Sequence, residues 1–97
     1  MERKIRAGLM AYGMSGKVFH APFLEQHPGF ELVAIVERSK NEAVKDYPNI
    51  IQYRDQESLL ADDSIELIVI NTPHFTHYEY AKAALNAGKH VLIEKPL

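Results

Sequence analysis

Apolar residues in this chain fall into short, nearly continuous runs, separated by stretches in which they recur at helical spacing. Five runs read as strands, at residues 5–10, 30–36, 50–53, 65–70 and 91–93. Runs without polar alternation belong to strands buried on both faces, as in a parallel sheet covered by helices. The stretches between them carry helix signals. The first helix is expected to begin near Met14. Pro22 in mid-helix removes a hydrogen bond at a cost of ~3 kcal/mol. A break is therefore expected near Ala21, with Pro22 in the first turn of a second short piece that ends before Pro28. Ser39-x-x-Glu42 has the form of a capping box and predicts a helix from Lys40 to just before Pro48. Asp55 caps a short helix through Leu60. Thr76-x-x-Glu79, a second capping box, opens a helix with Tyr78, Ala81, Ala84 and Leu85 near one face and Gly88 as its C-terminal cap.

Strict alternation of strand and helix means βαβ units with right-handed crossovers. The fold class is α/β, a doubly wound parallel sheet of the Rossmann type, with expected strand order 3-2-1-4-5. In such a sheet the ligand crevice lies beyond the carboxyl ends of the strands where the order reverses, here between strands 1 and 4. The stretch at that place is Ala11-x-Gly13-x-x-Gly16, the dinucleotide fingerprint G-x-G-x-x-G with its first glycine replaced. That glycine serves the tight turn, the second lets a pyrophosphate approach, and the third packs helix on strand. Alanine makes the turn as long as its φ stays negative. Asn71, Thr72 and Pro73 end strand 4 across the crevice, and Lys95 falls at the end of strand 5 on the same edge.

Composition narrows the class further. The 97 residues suit one domain at most, short of the ~150 usual for a dinucleotide-binding unit. Eleven basic against thirteen acidic residues, a net charge of −2, give no reason to expect a nucleic-acid partner. No run approaches the roughly 20 apolar residues of a membrane span, and the first residues lack the apolar block of a signal peptide. The chain has no cysteine, which excludes disulfides and thiolate zinc sites. The expected location is the cytoplasm. Because the chain stops directly after strand 5, it is expected to be the first part, residues 1–97, of a larger protein whose substrate domain follows.

Glu37 ends strand 2, where a carboxylate accepts the hydroxyls of an adenosine ribose and disfavours a 2′-phosphate. Arg38, Ser39 and Lys40 pull the other way, since guanidinium, hydroxyl and ammonium together suit a phosphate. NAD or NADP therefore both remain, with a slight lean to NAD. Lys95 is the candidate for chemistry: an ammonium at the crevice stabilises the alkoxide that develops as hydride leaves. An ordinary surface lysine fits the same spacing. His74 and His77, three apart, have no further ligands nearby and are not read as a metal pair. His20 is read as a packing or capping group, and Lys17 as charge near the pyrophosphate.

The phrases Gly13-Met14-Ser15-Gly16-Lys17-Val18-Phe19-His20-Ala21-Pro22, Thr72-Pro73 with His77, and Ala87-Gly88-Lys89-His90 running to Glu94-Lys95-Pro96 resemble the Gfo/Idh/MocA oxidoreductases. The resemblance spans the chain. It implies a nicotinamide-dependent dehydrogenase or reductase acting on a sugar, an inositol-like polyol or a related carbonyl, with a homo-oligomer as the full-length form. It implies that Gly13, Met14, Ser15 and Gly16 meet the pyrophosphate, that Glu37 and Arg38 meet the ribose, and that Thr72, Pro73 and His77 lie along the cofactor. Glu94 and Lys95 would then sit at the nicotinamide and substrate. In this family a second domain supplies the substrate face, so the piece alone is expected to be inactive. A non-catalytic dinucleotide sensor of the same fold is the alternative, favoured by Ala11 and disfavoured by the Glu94-Lys95-Pro96 ending.

Overall fold

A computed structural model describes residues 3–13 and 15–94. Five parallel strands, β1 (Ile5–Leu9), β2 (Phe30–Val36), β3 (Ile51–Tyr53), β4 (Leu67–Ile70) and β5 (His90–Ile93), form one sheet in the order β3-β2-β1-β4-β5. Four α-helices alternate with them: α1 (Ala21–Gln26), α2 (Glu42–Asp46), α3 (Gln56–Leu60) and α4 (His77–Asn86). The order is the one the sequence implies.

Strand periodicity sorts the core into two halves. Ala7, Leu9 and Val69 point to one face, where they meet Ala21 and Leu24 of α1 and Ala43 of α2. Met10, Ile68 and Ile70 point to the other, with Leu59 of α3 and Ala84 of α4. Consecutive strand residues should alternate faces, yet Val33 and Ala34 of β2 both lie on the second. The register explains this: Ala7 pairs with Leu32 and Gly8 with Ala34, so Val33 is an extra residue in a bulge.

Several sequence-based boundaries are corrected. The boundary expected near Ala21 is present as a change of helix type without a gap, and Pro22 sits in the first turn of α1, which ends at Gln26 before Pro28. Residues Gly16–His20 form a π-helix that runs straight into α1, and the Ala21 N–H donates to the Gly16 carbonyl five residues back. The wider turn accommodates Pro22, which has no N–H for an ordinary helical bond and whose ring crowds the carbonyl four residues earlier. Neither capping box forms. Helix α2 starts at Glu42, and Asn41 before it makes no side-chain cap. Glu37 caps it from the strand end, accepting from the Glu42 N–H at 3.3 Å and the Ala43 N–H at 2.8 Å. Thr76 likewise turns its hydroxyl back to the Pro73 carbonyl. Asp55 does cap α3, accepting from the Ser58 N–H at 2.7 Å. The inner face of α4 is His77, Tyr80, Ala81 and Ala84; Tyr78 and Leu85 are exposed. Gly88 ends α4 with φ +80°, a conformation that favours glycine.

Candidate functional site

The carboxyl ends of β1, β2 and β4 open into a cleft of about 520 Å³, at the place where the strand order reverses. Its floor is the loop of Met10, Ala11, Tyr12 and Gly13. One wall is Val36 to Lys40 with Glu42; the other is Thr72, Pro73, Phe75, Thr76 and Tyr80.

The loop is held by side chains that imitate backbone. Asn71 accepts from the Ala11 N–H at 3.1 Å and donates from Nδ2 to the Ala11 carbonyl at 2.8 Å, adding one more rung between β1 and β4. No described residue other than glycine has positive φ, so alanine in place of the first fingerprint glycine carries no backbone strain. The other two glycines have different reasons. A Cβ on Gly16 would lie 2.6 Å from the Ala11 carbonyl oxygen and 2.7 Å from Asn71 Nδ2, so this position packs the helix against the loop. A Cβ on Gly13 would meet nothing within 4 Å. Gly13 leaves open space at the mouth of the cleft, which is what an approaching pyrophosphate requires.

Tyr12 anchors the loop sideways, its hydroxyl donating to Asp46 Oδ2 of α2 at 2.5 Å. Burial, then the bond to Asp46, raise the phenol above its ordinary pKa and keep it neutral. Gln56 Nε2 donates to the Met10 carbonyl at 3.1 Å from the α3 side. Glu37 is buried, and besides the two N–H groups of α2 it accepts from Gln52 Nε2 at 3.1 Å. Three of a carboxylate's four acceptor positions are thus used within the protein. Arg38, Ser39 and Lys40 beside it are exposed toward the cleft.

On the opposite wall the Thr72 and Thr76 hydroxyls lie 2.6 Å apart. Thr76 donates onward to the Pro73 carbonyl at 2.5 Å, so Thr72 is the donor between them. His77 is buried under this turn with Nε2 on the Thr72 carbonyl at 2.9 Å, and its ring meets that of His74 edge-on at 5.3 Å. At the end of β5 the Glu94 N–H donates to the Ile70 carbonyl at 3.1 Å. The Glu94 carboxylate lies 3.2 Å from His20 Nε2, which ties β5 to the helix that follows the loop.

Of the residues singled out in the sequence, Ala11, Gly13, Glu37, Arg38, Ser39, Thr72 and Pro73 line the cleft. Gly16, Asn71 and His77 stand behind it as supports, Ser15 follows the loop, and Glu94 lies at the far strand. Met14 and Lys95 lie outside the described residues. Sequence reasoning missed Tyr12, Glu42, Gln56, Phe75 and Tyr80. Phe75, 83% exposed on the rim, had no periodic signal to mark it. Tyr80 had one, the i, i+3, i+7 spacing of His77, Tyr80 and Ala84 that defines the true inner face of α4. Among the described residues there is no group of three potential metal ligands, and no helix is long and apolar enough to cross a membrane.

Residues 5–97 match the family described as an oxidoreductase family with an NAD-binding Rossmann fold. The chain is 44% identical over 96 residues to the uncharacterized oxidoreductase YdgJ of Escherichia coli, covering 99% of this chain and 28% of that protein. It is 37% identical over 93 residues to the scyllo-inositol 2-dehydrogenase (NADP(+)) IolW of Bacillus subtilis, covering 96% and 26%. A crystal structure of an oxidoreductase from Bacteroides fragilis superposes with a TM-score of 0.94 at 54% identity, over 97% of this chain and 29% of the other. The chain therefore spans less than a third of the relatives it matches. With its sheet order, its glycine loop and its cleft at the switch point, the chain belongs to the Gfo/Idh/MocA oxidoreductase family and has its NAD-binding Rossmann fold.

Proposed function

We propose that this chain is the NADP(H)-binding part of an oxidoreductase that transfers hydride to or from a sugar, an inositol-like polyol or a related carbonyl. The bound nicotinamide supplies or accepts the hydride. The open space at Gly13, beside a loop locked by Asn71 and Tyr12, is the observation that supports dinucleotide binding most directly. Backbone there meets the pyrophosphate without a side chain in the way.

The choice of NADP(H) over NAD(H) departs from the lean that Glu37 carries in the sequence. Its carboxylate is engaged by α2 and Gln52, which leaves it one acceptor position for a ribose diol. Arg38, Ser39 and Lys40 remain on the cleft wall as donors for a 2′-phosphate. The printed cofactor of the Bacillus subtilis relative points the same way. Lys95 is assigned the stabilisation of the substrate alkoxide as hydride leaves, from its place in the sequence after strand 5 and from the family motif. Substrate class and a homo-oligomeric full-length form rest on the same resemblance. Ala11, the residue that favoured a cofactor-free sensor, is unstrained and fully bonded in the loop, which removes that argument.

The test is calorimetric titration with NADPH and NADH, for the chain and for Arg38→Ala. Tighter binding of NADPH, weakened about tenfold by the substitution while NADH is unchanged, is expected for one lost charge-assisted phosphate contact. Binding of neither dinucleotide overturns the reading, and tighter NADH returns the ribose to Glu37.

A further inference from the structure

Glu42 is an acid on the cleft wall, within reach of one lysine that lines the cleft and one that lies outside it. Its Oε1 is 3.0 Å from Lys17 Nζ, on the turn after the glycine loop, and its Oε2 is 3.7 Å from Lys40 Nζ, on the wall of the cleft. Glu42 lines the same cleft beside Arg38, Ser39 and Lys40. All three side chains are substantially exposed, at 49% for Lys17, 41% for Glu42 and 76% for Lys40. An ion pair this exposed adds little to folding stability. Glu42 joins Lys40 on the cleft wall to Lys17 on the π-helix that follows the glycine loop.

We propose that Glu42 is a specificity-determining residue: its carboxylate acts as an internal counter-anion that holds Lys17 and Lys40 in the absence of ligand and sets how strongly the cleft prefers a phosphorylated over an unphosphorylated adenosine ribose. This rests on the dinucleotide reading of the cleft. The two contacts are unequal. The 3.0 Å contact to Lys17 is a charge-assisted hydrogen bond, whereas the 3.7 Å contact to Lys40 is only coulombic. A 2′-phosphate beside Arg38 and Ser39 draws Lys40 away from Glu42 while Lys17 stays. The carboxylate thus opposes the phosphate twice, by competing for Lys40 and by direct repulsion. A ribose hydroxyl meets neither penalty. Glu42 weakens binding of the doubly charged group selectively and keeps it reversible.

The test is titration of the chain, of Glu42→Gln and of Glu42→Asp with NADPH, NADH, adenosine 2′,5′-bisphosphate and 5′-AMP. The two smaller ligands read the ribose end without the nicotinamide. Glu42→Gln should tighten NADPH and the bisphosphate about three- to tenfold at low salt and change NADH and 5′-AMP by less than about twofold, since one exposed charge is removed near a divalent one. The gain should shrink at high salt, and Glu42→Asp, which keeps the charge, should stay near the unsubstituted ratio. An equal change for all four ligands, or none, overturns the inference. Weaker binding of the bisphosphate overturns it too, because Glu42 would then serve by positioning its lysines. If the unsubstituted chain binds neither dinucleotide, the functional reading falls and takes this one with it. If it binds and only the ratio fails to move, the role of Glu42 alone is lost.

Discussion

The two edges of the sheet are built from the same strands and similar residue types, yet at one the charges are paired with each other and at the other they stand around an open cleft. At the amino edge, charges meet partners within the chain, most of them at the surface. Arg3 and the Arg6 N–H both bind Glu66, Arg6 also reaches Glu31, and Arg6 Nε donates to the Ser64 carbonyl. Lys89, only 5% exposed, places Nζ 2.8 Å from both the Asp62 and Ile65 carbonyls. At the carboxyl edge, Asn71, Tyr12, Gln56 and Glu37 bind backbone and helix to fix the loops, but Arg38, Ser39, Lys40 and Phe75 face outward around the cleft. The difference teaches which polar groups hold loops and helices in place and which stand exposed around the cleft. In a βαβ fold the helices start at the carboxyl edge and end at the amino edge, so N–H groups point toward one and carbonyls toward the other. Lys89 supplies a cation where carbonyls gather. At the N–H side Glu37 and Asp55 supply carboxylates to the first turns of α2 and α3.

The sharpest way to break this contrast is a substitution that acts at one edge only. Gly13→Asp adds a carboxylate where no protein atom lies within 4 Å of the new Cβ. Dinucleotide affinity should fall at least about 100-fold, or about 2.7 kcal/mol. The denaturant midpoint should barely move, since surface changes usually stay within about 0.5 kcal/mol. Lys89→Met is the opposite experiment. It leaves two carbonyls without their donor and should lower unfolding stability by roughly 2 kcal/mol, read in urea, with dinucleotide affinity unchanged. Comparable losses of stability and affinity in either variant would mean that the edges are not independent.

The open edge was also the more legible one, up to a point. Runs such as 65–70 identify buried strands because burial on both faces leaves no polar alternation, and the alternation with helices then implies a doubly wound parallel sheet. The glycine loop is legible because its fingerprint is contiguous in sequence: Gly13 leaves open space, and Gly16 packs on the Ala11 carbonyl, with Asn71 arriving from the end of β4. Long-range supports left no comparable trace. Glu37 looks like a free ribose acceptor in sequence, but whether its carboxylate points to the cleft or to α2 depends on the path of residues 38–41 and on Gln52 arriving from β3. The same path makes the Ser39 box idle. Thr76 misleads for a related reason, because the Pro73 carbonyl captures the hydroxyl that would have capped α4. The inner face of α4 was misplaced by trusting the bulk of Tyr78 and Leu85 over spacing, when His77 and Tyr80 fill the positions toward the sheet.

The smallest effect separates the edges by pH. The Glu66 carboxyl is held at about 2, below its usual 4.5, first by its hydrogen bond to Arg3 and then by the Arg6 N–H. A carboxyl depressed in the folded state stabilises the protein where it is ionised in both states, above pH 4.5, and that contribution is lost as pH falls from 4.5 toward 2. Glu66→Gln should therefore lower the urea midpoint slightly at pH 7, with a difference from the unsubstituted chain that closes progressively below pH 4.5. Glu42, at the other edge, is also lowered, chiefly by Lys17. Its contribution has the same sign, but exposed pairs of this kind are screened by salt. At high salt the pH-dependent difference should persist for Glu66→Gln, whose acceptor includes a backbone N–H, and vanish for Glu42→Gln. Equal salt sensitivity at the two positions would show that the charges of the amino edge are no more firmly paired than those of the cleft.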